Sequence, residues 1–319
     1  MKNKIEFINK LSKAFQGSHR HVDELIMEKS GNIEYPTLFH YTSIEGMNSI
    51  ISNNNLWATD YRFLNDAQEM LDGLDVLFKE LKSSEHAALN QFVKLMDIEK
   101  FVNKGFINPH ILSFCSTSDL LSQWRAYGAE SEGICLEFDL FTSHLSSMTT
   151  CGHLVPVVYD DLIKKAIIVD IIKSIESDLL SINLCSESYN NLSEANQNYI
   201  SGMIFSKFIL PILSFKDKSY EEESEWRAIF LPTKDEVENL RKFRTSNGTF
   251  TPYIEAVIID NSTKSELLPL KGVCLPPASG KSSQIGLELF LQQSGYKGDV
   301  AVNINRSSIP LRSKQAIYW

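Results

Sequence analysis

Between residues 37 and 138 short apolar runs alternate with segments of helical period, and no other feature narrows the fold as much. Thr37–Tyr41 (TLFHY), Leu56–Thr59 (LWAT), Ile111–Cys115 (ILSFC) and Gly133–Phe138 (GICLEF) combine apolar, aromatic and β-branched residues over four to six positions. Runs of that length and composition predict strands. The stretches between them predict helices. Thr42 and Glu45 have the S/T-x-x-E spacing of a capping box, which starts a helix at about Ser43. Met47, Ile50 and Ile51 give it one apolar face, and Asn53, Asn54 and Asn55 end it. Met70, Leu71, Leu74 and Leu77 recur at helical spacing within Asn65–Leu81, and Asp119–Tyr127 forms a short helix.

Outside that span the chain is less regular. Ile5, Ile8, Leu11 and Phe15 predict an opening amphipathic helix, with a second over Val22–Met27 before the break at Ser30-Gly31-Asn32. Val155–Tyr159 predicts a further strand. Residues 160–215 read as mainly helical, through Ile167–Leu180 and Tyr199–Phe215. Strands return at Glu225–Phe230 (EWRAIF), Tyr253–Ile259 and Val300–Asn305, with a helix over Gln284–Ser294. No internal repeat, low-complexity tract or Pro- or Gly-rich linker occurs. The expectation is one domain over 1–319, with a helical N-terminal arm (1–35) and a mainly helical insertion (140–215).

Composition excludes several classes. With 31 basic and 40 acidic residues the net charge is −9, so no global field draws in nucleic acid or an anionic membrane. Only a local basic groove is left for such partners. The opening MKNKIEFINKLSKAFQ lacks the uninterrupted apolar core of a signal peptide. The most apolar stretch, Gly202–Phe215, is broken by Lys207 and Pro211. It is shorter than the roughly 20 residues of a membrane span, so it reads as a buried helix. The five cysteines are scattered with no CxxC pair, and the histidines show no metal-ligand spacing. Free buried thiols, no metal, no membrane and a cytoplasmic location are therefore expected. Ser279-Gly280-Lys281-Ser282 mimics part of a P-loop, but Leu275 stands where the first glycine is required.

Four constellations carry candidate chemistry. His40, within Phe39–Ser43 at a strand-to-helix junction, either donates to a ligand hydroxyl or is a satisfied core histidine. Asn65 and Asp66 either cap the following helix or line a pocket. Trp124 and Tyr127, three apart on a helix, share a face that is either core or a stacking wall for a flat ring, with Arg125 displaced toward a phosphate. Finally, alternation along Glu223–Arg227 puts Glu223, Glu225 and Arg227 on one strand face, as a cleft lining or as a solvated ion pair.

In order, these segments resemble a large bacterial family of uncharacterised proteins. Its pattern is strand-HYT, LWAT before an Asn-Asp helix, SF-x-S with W-x-x-Y, G-x-C-L-E-F-D, E-x-E-W-R and a late S-x-I-P-L-R. These stand here at His40-Tyr41-Thr42, Leu56–Thr59, Asn65-Asp66, Ser113–Ser116, Trp124 with Tyr127, Gly133–Asp139, Glu223–Arg227 and Ser307–Arg312. That family is in turn similar, in the order His, aromatic, Glu, to the ADP-ribosyltransferases. Asn54 replaces the glycine usual at the end of their first helix, and the segment before the glutamate is long.

The resemblance implies an α+β fold with an ADP-ribosyltransferase-like split β-sheet core. It implies NAD as substrate, held by His40, Tyr41, Thr42, Asn65, Ser113, Trp124, Arg125 and Arg227. Tyr127, or Trp124, would stack on the nicotinamide, Glu225 would be the catalytic carboxylate, and Glu223 would sit beside the acceptor. The acceptor would be RNA or protein. Enzymes of this kind are often bacterial toxins of toxin–antitoxin or phage-defence systems, which implies a neutralising or regulatory protein. The alternatives are an NAD glycohydrolase and a binding module without turnover.

Overall fold

A computed structural model describes residues 9–15, 19–32, 34–64, 69–95, 108–127, 133–140, 143–148, 150–246, 248–260, 267–277 and 279–310. The chain sorts into two compact units. One comprises Met1–Ile33, Leu64–Ile107 and Val155–Lys218, the other Glu34–Phe63, Asn108–Leu154 and Ser219–Trp319.

The first unit is helical. Its longest helices are Asp161–Ser181 and Glu194–Ser214, and His19–Lys29, Glu69–Leu81 and Ala87–Leu95 pack with them. Ile167, Ile168, Ile175, Ile200, Ile204, Phe208 and Ile212 are fully buried there. Gly73 allows Glu69–Leu81 to approach its neighbour closely, since a Cβ at that position would lie 2.8 Å from the Ile212 carbonyl oxygen. The apolar stretch Gly202–Phe215 is the buried helix expected, with both interruptions accommodated. Pro211 lies inside the helix, and Lys207 is buried with its Nζ 2.6 Å from Asp178 and 4.5 Å from the centre of the Phe15 ring. Among the described residues no helix is long and apolar enough to cross a membrane.

The second unit holds the strands β1 (Thr37–Ser43), β2 (Leu56–Asp60), β3 (His110–Cys115), β4 (Gly133–Asp139), β5 (Ser143–Ser146), the first two residues of β6 (His153–Pro156), β7 (Glu225–Phe230), β8 (Lys242–Ser246), β9 (Thr249–Asp260), β10 (Leu270–Leu275) and β11 (Asn303–Arg306). The main path through the sheet is β11-β10-β4-β1-β3-β2-β9-β5, with β7 against β3 and β8 against β9. Only β10 with β11 is parallel among these pairs, so the sheet is open and mixed, within an α+β architecture.

The sheet branches at β3. Strand β7 runs along one edge of β3 from His110 to Cys115. The opposite edge is divided: Ile111 and His110 pair with Thr59 and Asp60 of β2, while Cys115 pairs with Phe39 of β1. A strand has two edges only, so β1 and β2 part beside Ser113.

Several boundaries differ from the sequence reading. The first helix of this unit is Ile44–Asn53, and its N-cap is Ser43, whose hydroxyl accepts from the Gly46 amide at 3.0 Å. Thr42 belongs to β1 instead. Strands β5 and β6 stand within the span expected to be mainly helical, whose helices start at Asp161. Helix Lys234–Leu240 was not expected; it has a complete capping box from Thr233 and Glu236, but Val237 is its one buried residue. Strand β10 was also not expected, because Gly272 breaks the apolar run; that glycine packs against the Glu137 side chain at a register shift with β4. Cys115 and Cys135 are the buried thiols expected, whereas Cys151 and Cys185 are exposed. Ile5 and Ile8 lie outside the described residues.

Asn54 closes the first helix of this unit in the left-handed conformation (φ 54°), and its side chain accepts from the Leu268 amide at 2.7 Å. A glycine would supply the same φ without that acceptor. Asn54→Gly should therefore lower stability by about 1 kcal/mol through the orphaned amide. Asn54→Ala should cost about 2 kcal/mol, because the strained φ is added. Denaturant midpoints of the three proteins check that order.

Candidate functional site

Residues directly opposite each other on paired strands share a sheet face, and faces alternate along each strand. The register then defines one surface. Ile229 of β7, Ile111 of β3, Thr59 of β2, Tyr253 of β9 and Lys242 of β8 are successive partners. Two residues along, Arg227 faces Ser113 and Trp57 faces Glu255, while Arg244, opposite Thr251, lies two residues the other way along β8. Next comes Glu225, opposite Cys115, which pairs in turn with Phe39. Glu225, Arg227, Ser113, Thr59, Trp57, Tyr253 and Arg244 thus lie on one face, around the branch of the sheet.

Glu225 and Arg227 form a bidentate pair. Arg227 Nε donates to Oε1 at 2.9 Å and Nη2 to Oε2 at 3.0 Å, with both side chains buried. Their same-face placement is as the alternation predicts. Glu223 departs from it. The residue ends the short 3-10 turn Lys218–Glu223, and Ser224 follows with φ 46°, so the strand alternation begins only at Glu225. The Glu223 carbonyl accepts from the Cys115 thiol and the Ser224 carbonyl from the Ser116 amide, which pins this turn to the end of β3.

On the same face the helix Leu121–Tyr127 covers β1 and β4. Trp124 is fully buried and meets Tyr41 edge-on at 5.2 Å, in a cluster with Cys115 and Cys135. Its Nε1 donates to Asp119 at 2.7 Å. Trp124 is therefore core and does not form an open stacking wall. Tyr41 is likewise structural: its hydroxyl donates to the Thr117 carbonyl and accepts from the Leu120 amide, both at 3.1 Å. Burial pushes the Tyr41 hydroxyl far above the usual tyrosine range, so it stays protonated. The Thr42 hydroxyl occupies the space that a Cβ at Gly46 would need, at the start of the following helix. Tyr127, three residues after Trp124, is 45% exposed, and Arg125 is also exposed. Asn65 lies outside the described residues.

His40 points to the opposite face from Tyr41 by alternation, where it meets Phe114 edge-on at 5.9 Å. Its ring fills the notch where β1 leaves β3, and Nδ1 lies 3.0 Å from the Ser113 carbonyl oxygen. A carbonyl only accepts, so Nδ1 carries the proton. Burial lowers the His40 pKa, the Ser113 carbonyl partly opposes this, and the nearby Arg244 lowers it further. The neutral ring therefore presents Nε2 as an acceptor, with no partner among the described residues. His40 and Glu225 are not in contact, since β3 separates their strands.

Two groups escaped the sequence reading. Arg244 sits in the polar run KFRTS, which has no apolar alternation to mark it as a strand. Asp119 looked like a plain helix start. Its carboxylate accepts from Trp124, from the Ser307 hydroxyl and from the Ser308 amide and hydroxyl. These bonds tie the helix Leu121–Tyr127 to the segment after β11, and they give Ser307 of the late S-x-I-P-L-R motif a structural task. Burial alone would raise the Asp119 pKa, but the bonds from Ser307, Trp124 and Ser308 outweigh it and hold the value below the ordinary one. A depressed carboxyl pKa gives stability that is present above its unfolded value, about 3.9, and lost as the pH falls through the folded value. Asp119→Asn should therefore be less stable than wild type at pH 7, and the gap should close below about pH 4. Thermal melts across that range check it.

One family model, described as Protein of unknown function (DUF2971), matches residues 123–228. That is about a third of the chain, and it takes in Trp124, Tyr127, Glu223, Glu225 and Arg227 but neither His40 nor Arg244. No curated protein and no solved structure matches the chain.

Proposed function

We propose that the protein is an NAD-dependent ADP-ribosyltransferase that modifies a macromolecule, RNA or protein, in the cytoplasm. The observation that carries this reading is the charged, Arg227-clamped Glu225 at the start of β7, on the face beside the sheet branch. Breaking the nicotinamide–ribose bond builds positive charge on the ribose. A fixed carboxylate stabilises that charge without having to reorganise. The half-exposed Tyr127 suits the nicotinamide ring; His40, neutral and with Nε2 as acceptor, lies on the opposite face of β1 from Glu225, so it suits a second ribose hydroxyl only from that side of the branch. Glu223, just before the strand, is the group for the acceptor. An enzyme of this kind that modifies cellular RNA or protein would be toxic, so a neutralising partner protein belongs to the same reading.

Glu225→Gln is the direct test, and the ion pair changes what to expect from it. The substitution replaces the carboxylate against the buried Arg227 by a neutral amide. It should cost about 3 kcal/mol, so the variant has to be checked for folding. Glu225→Gln/Arg227→Gln removes both charges and should recover part of that loss. Both variants should lose transfer of label from adenylate-labelled NAD to total RNA or total protein, by a factor of about 100 or more. Free ADP-ribose with neither pool labelled would make the protein an NAD glycohydrolase. Folded wild type that leaves NAD intact would make it a ligand-binding module.

A further inference from the structure

Arg244 differs from three nearby cations of the sheet unit. Its neighbour Lys242, on the same face of β8, is paired with Glu255 at 2.7 Å. Arg62 is held by Asp60 and Arg227 by Glu225. Arg244 has no carboxylate partner among the described residues. Its Nη2 donates to the Thr59 hydroxyl at 3.0 Å, and its guanidinium carbon lies 5.5 Å from the centre of the Trp57 ring. Trp57 packs at 4.9 Å against Tyr253, its diagonal neighbour on the same face. Burial lowers the Arg244 pKa, while Tyr127 and Tyr253 act against that shift. A guanidinium that loses hydration without gaining a counterion is costly, and an anion arriving from solution offsets that cost.

We propose that Arg244, with Thr59, forms a phosphate-binding subsite, and that the adjoining Trp57 takes the flat base of the same nucleotide. The planar guanidinium fork matches two phosphate oxygens. The Thr59 hydroxyl fixes the angle of the fork, and the Trp57 ring fixes its plane. Tyr127, within electrostatic reach of Arg244, comes from the helix whose exposed end flanks this face. The assignment extends the proposed NAD reading by giving the dinucleotide's phosphates a place, yet it stands on Arg244 and not on Glu225.

The test uses the full chain and two probes, ADP and adenosine, with the Trp57 indole N–H followed by NMR. ADP should shift that signal and bind at least about tenfold more tightly than adenosine, and Arg244→Gln should abolish the difference. Arg244→Lys keeps a charge but loses the fork, so it should keep only part of the preference. Equal binding of the two probes by wild type, no binding of ADP, or an undiminished preference in Arg244→Gln would overturn the proposal. The wild-type comparison stands by itself if a variant does not fold. Folded protein that prefers ADP in this way but consumes no NAD would remove the transferase reading and leave the phosphate subsite in place. Transfer activity unchanged in Arg244→Gln would do the reverse.

Discussion

Everything at the candidate site depends on the divided edge of β3. In an uninterrupted sheet each strand gives an edge to one neighbour, and side chains on a face are spaced too closely to admit a ligand. Here β1 takes only the Cys115 end of β3 and β2 only the His110 end. The Ser113 carbonyl, between them, would be left without a strand partner. His40 supplies the missing donor. One imidazole thus closes the hydrogen-bond account of the branch, has its tautomer fixed by doing so, and is left with its second nitrogen as an acceptor. Structural and functional readings of that histidine, which the sequence sets against each other, are two ends of the same ring.

Around the branch, the aromatic residues divide by burial. Tyr41 and Trp124 are committed to holding the helix Leu121–Tyr127 on β1 and β4. Asp119 then ties the start of that helix to Ser307 and Ser308. Tyr127 is carried at the far end and stays partly in solvent. The W-x-x-Y spacing accordingly combines an anchor with a rim residue, which a shared helix face alone does not distinguish.

Most strands were legible because their residues alternate or run apolar between turn signals. β7 is the clearest case: EWRAIF gives its bounds, and alternation gives the Glu225–Arg227 face. Three things were not legible. Ser224 adopts a positive φ that breaks the alternation before Glu225, and serine carries no signal for that conformation. The Asp119 network joins residues 188 and 189 apart in sequence, which no local pattern encodes. Among the described residues β8 pairs with β9 alone, and its polar run lacks the burial that marks other strands. The sequence therefore marked Glu225 and Arg227 and left Arg244 unmarked.

That marginal position has a consequence for solubility. Among the described residues β8 pairs with β9 alone, so a row of its backbone amides and carbonyls is available to a strand of another molecule. The reverse face of this hairpin adds Phe243 and Phe250, 60% and 71% exposed. An open strand with bare aromatics is the usual seed of edge-to-edge aggregation. Lys242 and Arg244 bring two cations to the short strand, and a second copy docking in register would bring like charges together. Cations on a short edge strand oppose such pairing.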